Sequence, residues 1–281
     1  MTAPSGVLKR PRIVFDGYAL DLDGTVYLDD EVLPGAAEAI ARMRAHGSRV
    51  VFVTNKPLQT GEQYAAKLES LGIRAGVEDV VTALDSLLRY LLTHHPGERL
   101  LTVAEPLVDE LCARAGFDVV TDPAEVRVVV VSFDRTFDYA KLLAAFRAVR
   151  AGAAIVATNP DPYCPTADGG LPDCAAMLAA LEACTGRAAE AVVGKPSRHM
   201  GAAVLDRLGV APGRAAMVGD RVATDIAMGQ RLGMAGVLVL SGATRPQDLA
   251  RFDIHPDYVV PTLADVLPEL PAAHPPEEIS K

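Results

Sequence analysis

Phe15-Asp16-Gly17-Tyr18-Ala19-Leu20-Asp21-Leu22-Asp23-Gly24-Thr25-Val26-Tyr27 is the stretch on which the reading of this chain turns. Tyr18, Ala19 and Leu20 read as the end of a buried strand. Asp21 and Asp23 follow two residues apart, so in an extended chain their side chains share a face unless a twist at Gly24 parts them. Two carboxylates at the carboxyl end of a strand lie where open α/β sheets gather their ligands. At such close range one of them keeps its proton, or a cation sits between them. Asp-Gly is also a frequent turn pair, and by itself the stretch reads equally well as a strand that ends in a turn.

Working outward, apolar strand-sized runs alternate with amphipathic helical ones. Strands are expected over 49–53 and 80–81, each followed by a helix capped by Thr60 or Thr82, the latter with Asp85 three residues on. A second α/β unit starts near Arg99. It includes a continuous apolar run over 126–133, the pattern of a strand buried on both faces. The segment 159–173 is rich in proline and glycine and reads as an irregular loop, followed by a helix over 175–183. The first pattern then resumes: a strand over 191–193 before Gly194-Lys195-Pro196, a helix capped by Ser197, a strand over 215–218 before Gly219-Asp220, a helix from Thr224 to Leu232, and a strand over 237–240. Tyr27 to Glu31 reads as a small polar flap, and the Pro- and Glu-rich tail from about Pro271 as disordered. The fold class is α/β: a Rossmann-like, three-layer core with a parallel sheet and right-handed crossovers, formed by 1–82 and 190–281 and interrupted by an inserted α/β unit at 83–189.

The chain has 281 residues, half of them hydrophobic, and a net charge of −9. That is enough for a sizeable core, and it argues against nucleic-acid binding through a broad basic surface. It leaves room for a small anionic ligand. Cys112, Cys164, Cys174 and Cys184 show no CxxC or zinc-like spacing and read as free thiols in a reducing compartment. Residues 1–12 lack an apolar signal core, and no apolar run approaches the roughly 18 residues of a membrane helix. The expectation is a soluble cytoplasmic protein without membrane partners.

Three further strand ends carry polar groups. Thr54-Asn55-Lys56 offers a hydroxyl, an amide, an ammonium and free backbone N–H groups, suited to phosphate oxygens or to a polar turn before Pro57. Lys195 can neutralise an anion or point to water. Its Gly-Lys is no P-loop, because Ala189 stands where the first glycine belongs and Pro196 replaces the Mg²⁺-binding hydroxyl. Asp220 and Asp225 lie five apart across a strand-to-helix turn, where an acid can also serve as a helix cap.

Taken together and in this order, the four stretches resemble the motifs of the haloacid dehalogenase superfamily: DxDx(T/V) at Asp21 and Asp23, the Thr at Thr54, the Lys at Lys195, and GDx₃₋₄D at Asp220 and Asp225. The insertion between the second and third motifs is where the family's class IIA members carry their cap. ATNPDPYCP (157–165) and the following GKP resemble the NagD, p-nitrophenylphosphatase and arabinose-operon phosphatase branch. The resemblance implies that Asp21 attacks phosphorus and becomes an aspartyl phosphate, that Asp23 is the general acid and base, that Asp220 binds Mg²⁺ and that Asp225 supports its shell. Lys56 departs from the second Asn common in the NagD-like branch.

Asp21, Asp23, Asp220 and Asp225 would then converge with only Lys195 opposing them, a cluster that cannot stay ionised without a metal. Mg²⁺, with its preference for hard oxygen ligands, is the expected cofactor, held by Asp21, the Asp23 carbonyl, Asp220 and water, with Asp225 in support. The resemblance points to a phosphomonoesterase acting on a small phosphorylated metabolite, a sugar phosphate. The alternatives are phosphoryl transfer to a sugar acceptor and a non-catalytic, receiver-like phosphate-binding protein. Thr54, Asn55, Lys56 and Lys195 are the expected phosphate contacts. Asp161, Tyr163 and Cys174, with Cys164 and Asp173, are the candidates in the insertion for contacting the leaving group. A homodimer through the cap is a further expectation.

Overall fold

The strand Gly17–Asp21 is buried at every residue. It can be so because it lies between two parallel neighbours, Ala215–Gly219 on one side and Arg49–Thr54 on the other. The computed structural model describes residues 8–164, 166 and 169–268. The tail read as disordered, part of the N-terminus, and residues 165, 167 and 168 of the proline- and glycine-rich segment lie outside the described residues. The first sheet has six parallel strands in the order Tyr258–Val260, Ala235–Val239, Ala215–Gly219, Gly17–Asp21, Arg49–Thr54 and Val80–Thr82. The chain leaves Gly17–Asp21 in one direction and returns to its other side later. The crevice above this strand is therefore the topological switch point, where such sheets bind ligands. Tyr18, Leu20 and Phe52 pack one face against the helix Ala36–Ala45, while Ala19, Val51 and Met217 pack the other against Arg198–Leu208.

The expected caps are present. Thr60 Oγ1 accepts from Gln63 N, Thr82 Oγ1 from Asp85 N, and Ser197 Oγ from Met200 N. The first two are reciprocal capping boxes. The flap is an antiparallel hairpin, Tyr27–Leu28 with Glu31–Val32, turning through Asp29 at φ 51°.

The inserted unit holds a second parallel sheet of five strands, ordered Ala191–Val192, Ala154–Ala157, Val128–Val131, Arg99–Val103 and Asp118–Val119. Here the structure corrects the sequence reading, which returned residues 191–193 to the first sheet. Ala191–Val192 is an edge strand of the second sheet, parallel to Ala154–Ala157, and Val193 is buried in that sheet's core. The apolar run before Gly194 is satisfied by either sheet, so only packing decides. Lys195 therefore sits on the link back to the core and not at the end of a core strand. Segment 159–173 is likewise more regular than expected: Tyr163–Cys164 and Leu171–Pro172 pair as an antiparallel hairpin. The helix expected from Thr224 begins as a wide π-type turn, Val222–Ile226, and becomes α-helical at Ala227–Arg231.

Candidate active site

The ends of the central strands set out the site. Asp21 is the last residue of Gly17–Asp21, Thr54 the last of Arg49–Thr54, and Asp220 follows Ala215–Gly219 directly. The wide turn after Asp220 swings Asp225 back under the sheet edge. Its Oδ2 accepts from Arg221 N at 3.0 Å, and its carboxylate fills the space where a Cβ on Gly219 would stand. Lys195 enters from the opposite side. Its Nζ lies 2.5 Å from Asp21 Oδ1 and 2.7 Å from Asp225 Oδ1, and all three residues are buried. Thr25 Oγ1 donates to Asp21 Oδ2 at 3.4 Å.

One ammonium thus lies between two buried carboxylates, with a third, Asp220, close by. Burial pushes Asp21 well above the usual carboxylate range, and Asp225 and Asp220 add to the shift against the opposing pull of Lys195. Burial and the charge of Asp225 push Asp220 up to about 6. Burial disfavours the Lys195 charge, but Asp21 and Asp225 outweigh it and hold the ammonium above the ordinary lysine range. One oxygen each of Asp21, Asp220 and Asp225 lie within 4.8 Å of one another, and Asp220 Oδ1 is buried without a hydrogen-bond partner. Oxygen donors, excess negative charge and an orphaned carboxylate oxygen fit a small hard divalent cation. The carboxylate of Asp23 stands outside this trio and meets Lys56 Nζ at 3.1 Å. Lys195 is therefore not the only opposing charge: Lys56 faces Asp23, and Arg221 interacts with Asp161, Asp220 and Asp225.

Asn55 joins the two units. Its Oδ1 accepts from Lys195 N at 2.7 Å, and its Nδ2 donates to Lys195 O at 3.2 Å and to Asp161 Oδ2 at 2.9 Å. Its carbonyl accepts from Asn159 Nδ2 at 3.2 Å. Gly194 lets the link pass this close, since a Cβ there would lie 2.6 Å from Asn55 Oδ1. Thr54 Oγ1 accepts from Lys56 N at 3.1 Å and closes the turn.

Asp21, Asp23, Thr54, Asn55, Lys56 and Lys195 line a narrow cleft of about 40 Å³ together with Asp161, Tyr163, Cys164, Asp173, Arg221 and Thr224. Of the candidates in the insertion, Asp161 and Tyr163 reach the cleft and Cys174 does not. Cys174 is fully buried in the core of the second sheet, with Sγ donating to Val131 O at 3.4 Å, and burial pushes its thiol up to about 12. It opens the helix Cys174–Thr185 and faces the sheet. The neighbouring Asp173 caps that helix and turns toward the cleft; burial pushes it up to about 6. Cys164 faces the cleft near Lys56, with burial raising its thiol.

Sequence reasoning missed Arg221, Asn159 and the loop after Ala235–Val239. Arg221 Nη2 donates to Tyr163 O at 3.0 Å with its guanidinium 5.1 Å from the Tyr163 ring centroid, tying the core to the inserted hairpin. Ala243 N donates to Asp220 Oδ2 at 2.5 Å, and a Cβ on Gly242 would collide with the same carboxylate. The small-residue run Ser241-Gly242-Ala243 after a strand was the available signal.

Two family models match the chain, "Haloacid dehalogenase-like hydrolase" over residues 18–118 and a HAD-hydrolase-like model over 192–266. The chain is 36% identical over 251 residues to the sugar-phosphatase AraL of Bacillus subtilis, spanning 89% of this chain and 91% of that protein. This chain is a class IIA phosphatase of the haloacid dehalogenase superfamily. The phosphatase is also 33% identical to rat chronophin, over 93% of this chain and 90% of that one. Its fold superposes on the 4-nitrophenylphosphatase of Thermotoga maritima with a TM-score of 0.82 at 34% identity, covering 89% and 95% of the two chains. A glycerol phosphate phosphatase of Mycobacterium tuberculosis, solved in complex with magnesium, superposes with a TM-score of 0.80 at 33% identity, covering 90% of this chain and 76% of that one. Among the described residues no helix is long and apolar enough to cross a membrane.

Proposed function

We propose that the phosphatase is a Mg²⁺-dependent phosphomonoesterase that moves the phosphoryl group of a small phosphorylated metabolite, a sugar phosphate, first to Asp21 and then to water. The observation that carries this reading is the buried Asp21–Lys195–Asp225 cluster beside the orphaned oxygen of Asp220. Asp21, Asp220 and the main-chain carbonyl of Asp23 would hold Mg²⁺, with Asp225 supporting them; when bound, the ion lessens the negative charge facing the phosphate and polarises its oxygens.

The chain's own residues do the rest. Lys195 keeps Asp21 oriented and ionised and meets a phosphoryl oxygen together with Thr54. An Asp21 oxygen attacks phosphorus in line, the ester P–O bond breaks, and Asp23 gives its proton to the leaving alkoxide. Water then attacks the aspartyl phosphate, Asp23 takes its proton, and the acyl phosphate P–O bond breaks to release phosphate and restore Asp21. Lys56 fixes the Asp23 carboxylate near the leaving group. The cap, about 83–193, would close over the cleft through Asn55–Asp161 and Arg221–Tyr163, exclude water and read the leaving group with Asp161, Tyr163 and Asp173. Acidic hydrogen-bond acceptors on that wall suit a polyhydroxy leaving group. Sugar phosphatase activity named for AraL and for the acid sugar phosphatases of Staphylococcus aureus supports the substrate class. The four free thiols suit a reducing cytoplasm.

The test is release of inorganic phosphate from sugar phosphates and p-nitrophenyl phosphate, with Mg²⁺ and no added acceptor, by the wild type and Asp21→Asn. The variant should lose more than about 10³-fold in kcat/KM while keeping its circular dichroism spectrum. Near-wild-type release by a folded Asp21→Asn protein would overturn the assignment.

A further inference from the structure

Away from the cleft, the groove between the helices Ala83–His94 and Arg198–Leu208 holds a second cluster of titratable and aromatic side chains. It encloses about 450 Å³ and is lined chiefly by Arg89, Tyr90 and His94 from the first helix and by Arg198 and His199 from the second. The structure buries His95 between Glu98 and Glu190, at 3.1 and 2.8 Å, and leaves His94 exposed at the end of its helix, beside Tyr90. The His94 ring stacks on Tyr90 with centroids 4.2 Å apart, and His199 meets Tyr90 edge-on at 4.8 Å. Tyr90 is anchored from behind, its hydroxyl donating to Glu190 Oε1 at 2.8 Å.

The rim is cationic. Arg89 faces Asp206 at 3.5 Å, but both side chains are more than half exposed, so that pair is weak and easily exchanged. The Arg198 guanidinium has no hydrogen-bond or ion-pair partner among the described residues. Burial, with Arg198 and His94 adding to it, holds His199 below the ordinary histidine range. The charged and titratable groups facing the groove are thus Arg89, His94, Arg198 and His199, with Asp206 beside Arg89 and the Tyr90–His95–Glu190 set behind them.

In a chain of net charge −9, two guanidiniums and two imidazoles lining one groove, with Asp206 and Glu190 as the neighbouring acids, make a local anion receptor. Guanidinium forks match phosphate oxygens, and imidazoles that gain a proton add further donors. The two walls belong to different units. Leu84, Leu87 and Leu91 of the first helix pack on the cap sheet, and Met200 and Val204 of the second pack on the core sheet.

We propose that this groove is a second anion site, distinct from the catalytic cleft, which takes a phosphate group, free or on a metabolite, between Arg89 and Arg198 over His94 and His199, and so ties the cap to the core. The binding claim stands without the catalytic reading. Its consequence for turnover rests on that reading.

The experiment follows the histidine ring signals by NMR in the intact protein, assigned with His94→Gln and His199→Gln. Inorganic phosphate is titrated in one arm and methylphosphonate, a non-hydrolysable ester mimic, in the other. His94 and His199 should shift together and saturably, with the His199 pKa rising as the anion binds, and Arg89→Ala/Arg198→Ala should weaken this by about tenfold or more. The same variant should keep kcat on p-nitrophenyl phosphate at low phosphate, since neither arginine lines the catalytic cleft. Stronger binding of methylphosphonate would assign the site to a phosphorylated metabolite, and equal binding to free phosphate. Histidine signals that stay still at phosphate concentrations that inhibit turnover, or shifts that survive the double substitution, would overturn the proposal. Loss of activity in Asp21→Asn with intact histidine shifts separates this site from the catalytic one.

Discussion

Replacing Lys195 by Met removes a buried ammonium from between two buried carboxylates, Asp21 at 2.5 Å and Asp225 at 2.7 Å. Methionine fills much the same volume, so the packing of the link is largely kept and the loss is electrostatic. Breaking one buried pair from one side costs about 3–5 kcal/mol. With both carboxylates stranded, the loss falls at the upper part of that range in the absence of metal, a large share of the roughly 5–15 kcal/mol that holds a domain folded. The pH dependence has a definite sign. Asp21 and Asp220 have folded-state pKa values above their unfolded ones. The folded state therefore binds more protons than the unfolded state, and its stability falls as pH rises through the folded-state values. The ion pairing of Lys195 itself is constant over this window, because its ammonium titrates above the ordinary lysine range. Without it, Asp21 moves higher still. The deficit of Lys195→Met should then be small near about pH 5 and grow steadily toward about pH 8. Mg²⁺ should restore part of it in both proteins, and more in the variant. The assay is urea unfolding by circular dichroism over that pH range, in EDTA and in Mg²⁺, with phosphate release alongside. Activity should fall by at least about 10²–10³-fold, the usual cost of a lost charge-stabilising donor. A variant as stable as the wild type at the alkaline end in EDTA would refute the reasoning that Asp21 and Asp225 depend on this ammonium.

Activity should vanish after EDTA treatment and metal-free dialysis and return with Mg²⁺, while Ca²⁺, with longer bonds and more ligands, should restore little of it; full turnover without metal would count decisively against the proposed centre. Asp173 has its carboxyl pushed up to about 6 by burial, so its ionisation costs stability that is fully felt above that pH, on the order of 3 kcal/mol at about 1.4 kcal/mol per unit. Asp173→Asn should flatten the fall in stability between about pH 4 and 6, and an unchanged slope in urea titrations would place the burden elsewhere. Replacing the cap, about 83–193, by a short linker should leave slow hydrolysis of p-nitrophenyl phosphate in a folded protein while the ranking of natural phosphates collapses. An unchanged ranking would show that the core selects. Arg221→Ala, which unties Tyr163 from the core, should raise KM for sugar phosphates several-fold more than it lowers kcat; equal effects on both across the panel would argue against a latch.

By itself the sequence determined the α/β alternation, the parallel core sheet, the capping residues and the four polar strand ends. Each of these is local: apolar runs of strand length, Thr and Ser three residues before their N–H partners, and acids directly after a buried strand. Asp21, Thr54, Asp220 and Asp225 were legible for that reason, Lys195 through the resemblance of its Gly-Lys-Pro to a family motif, and the structure brings them together. What only the tertiary structure decided concerns partners distant in the chain. Ala191–Val192 satisfies either sheet, and packing assigns it to the cap. Asp23 was expected beside the other carboxylates, but it faces Lys56, because its direction depends on the turn it enters after Asp21 and on the neighbouring strand. Cys174 and Asp173 are adjacent, yet one enters the apolar interior and the other the cleft, since the helix they begin rotates successive side chains by about a third of a turn. The Asn55 knot joins residues more than a hundred positions apart. No periodicity in the sequence carries such information, because long-range hydrogen bonding is set by how two separately folded sheets come to face each other.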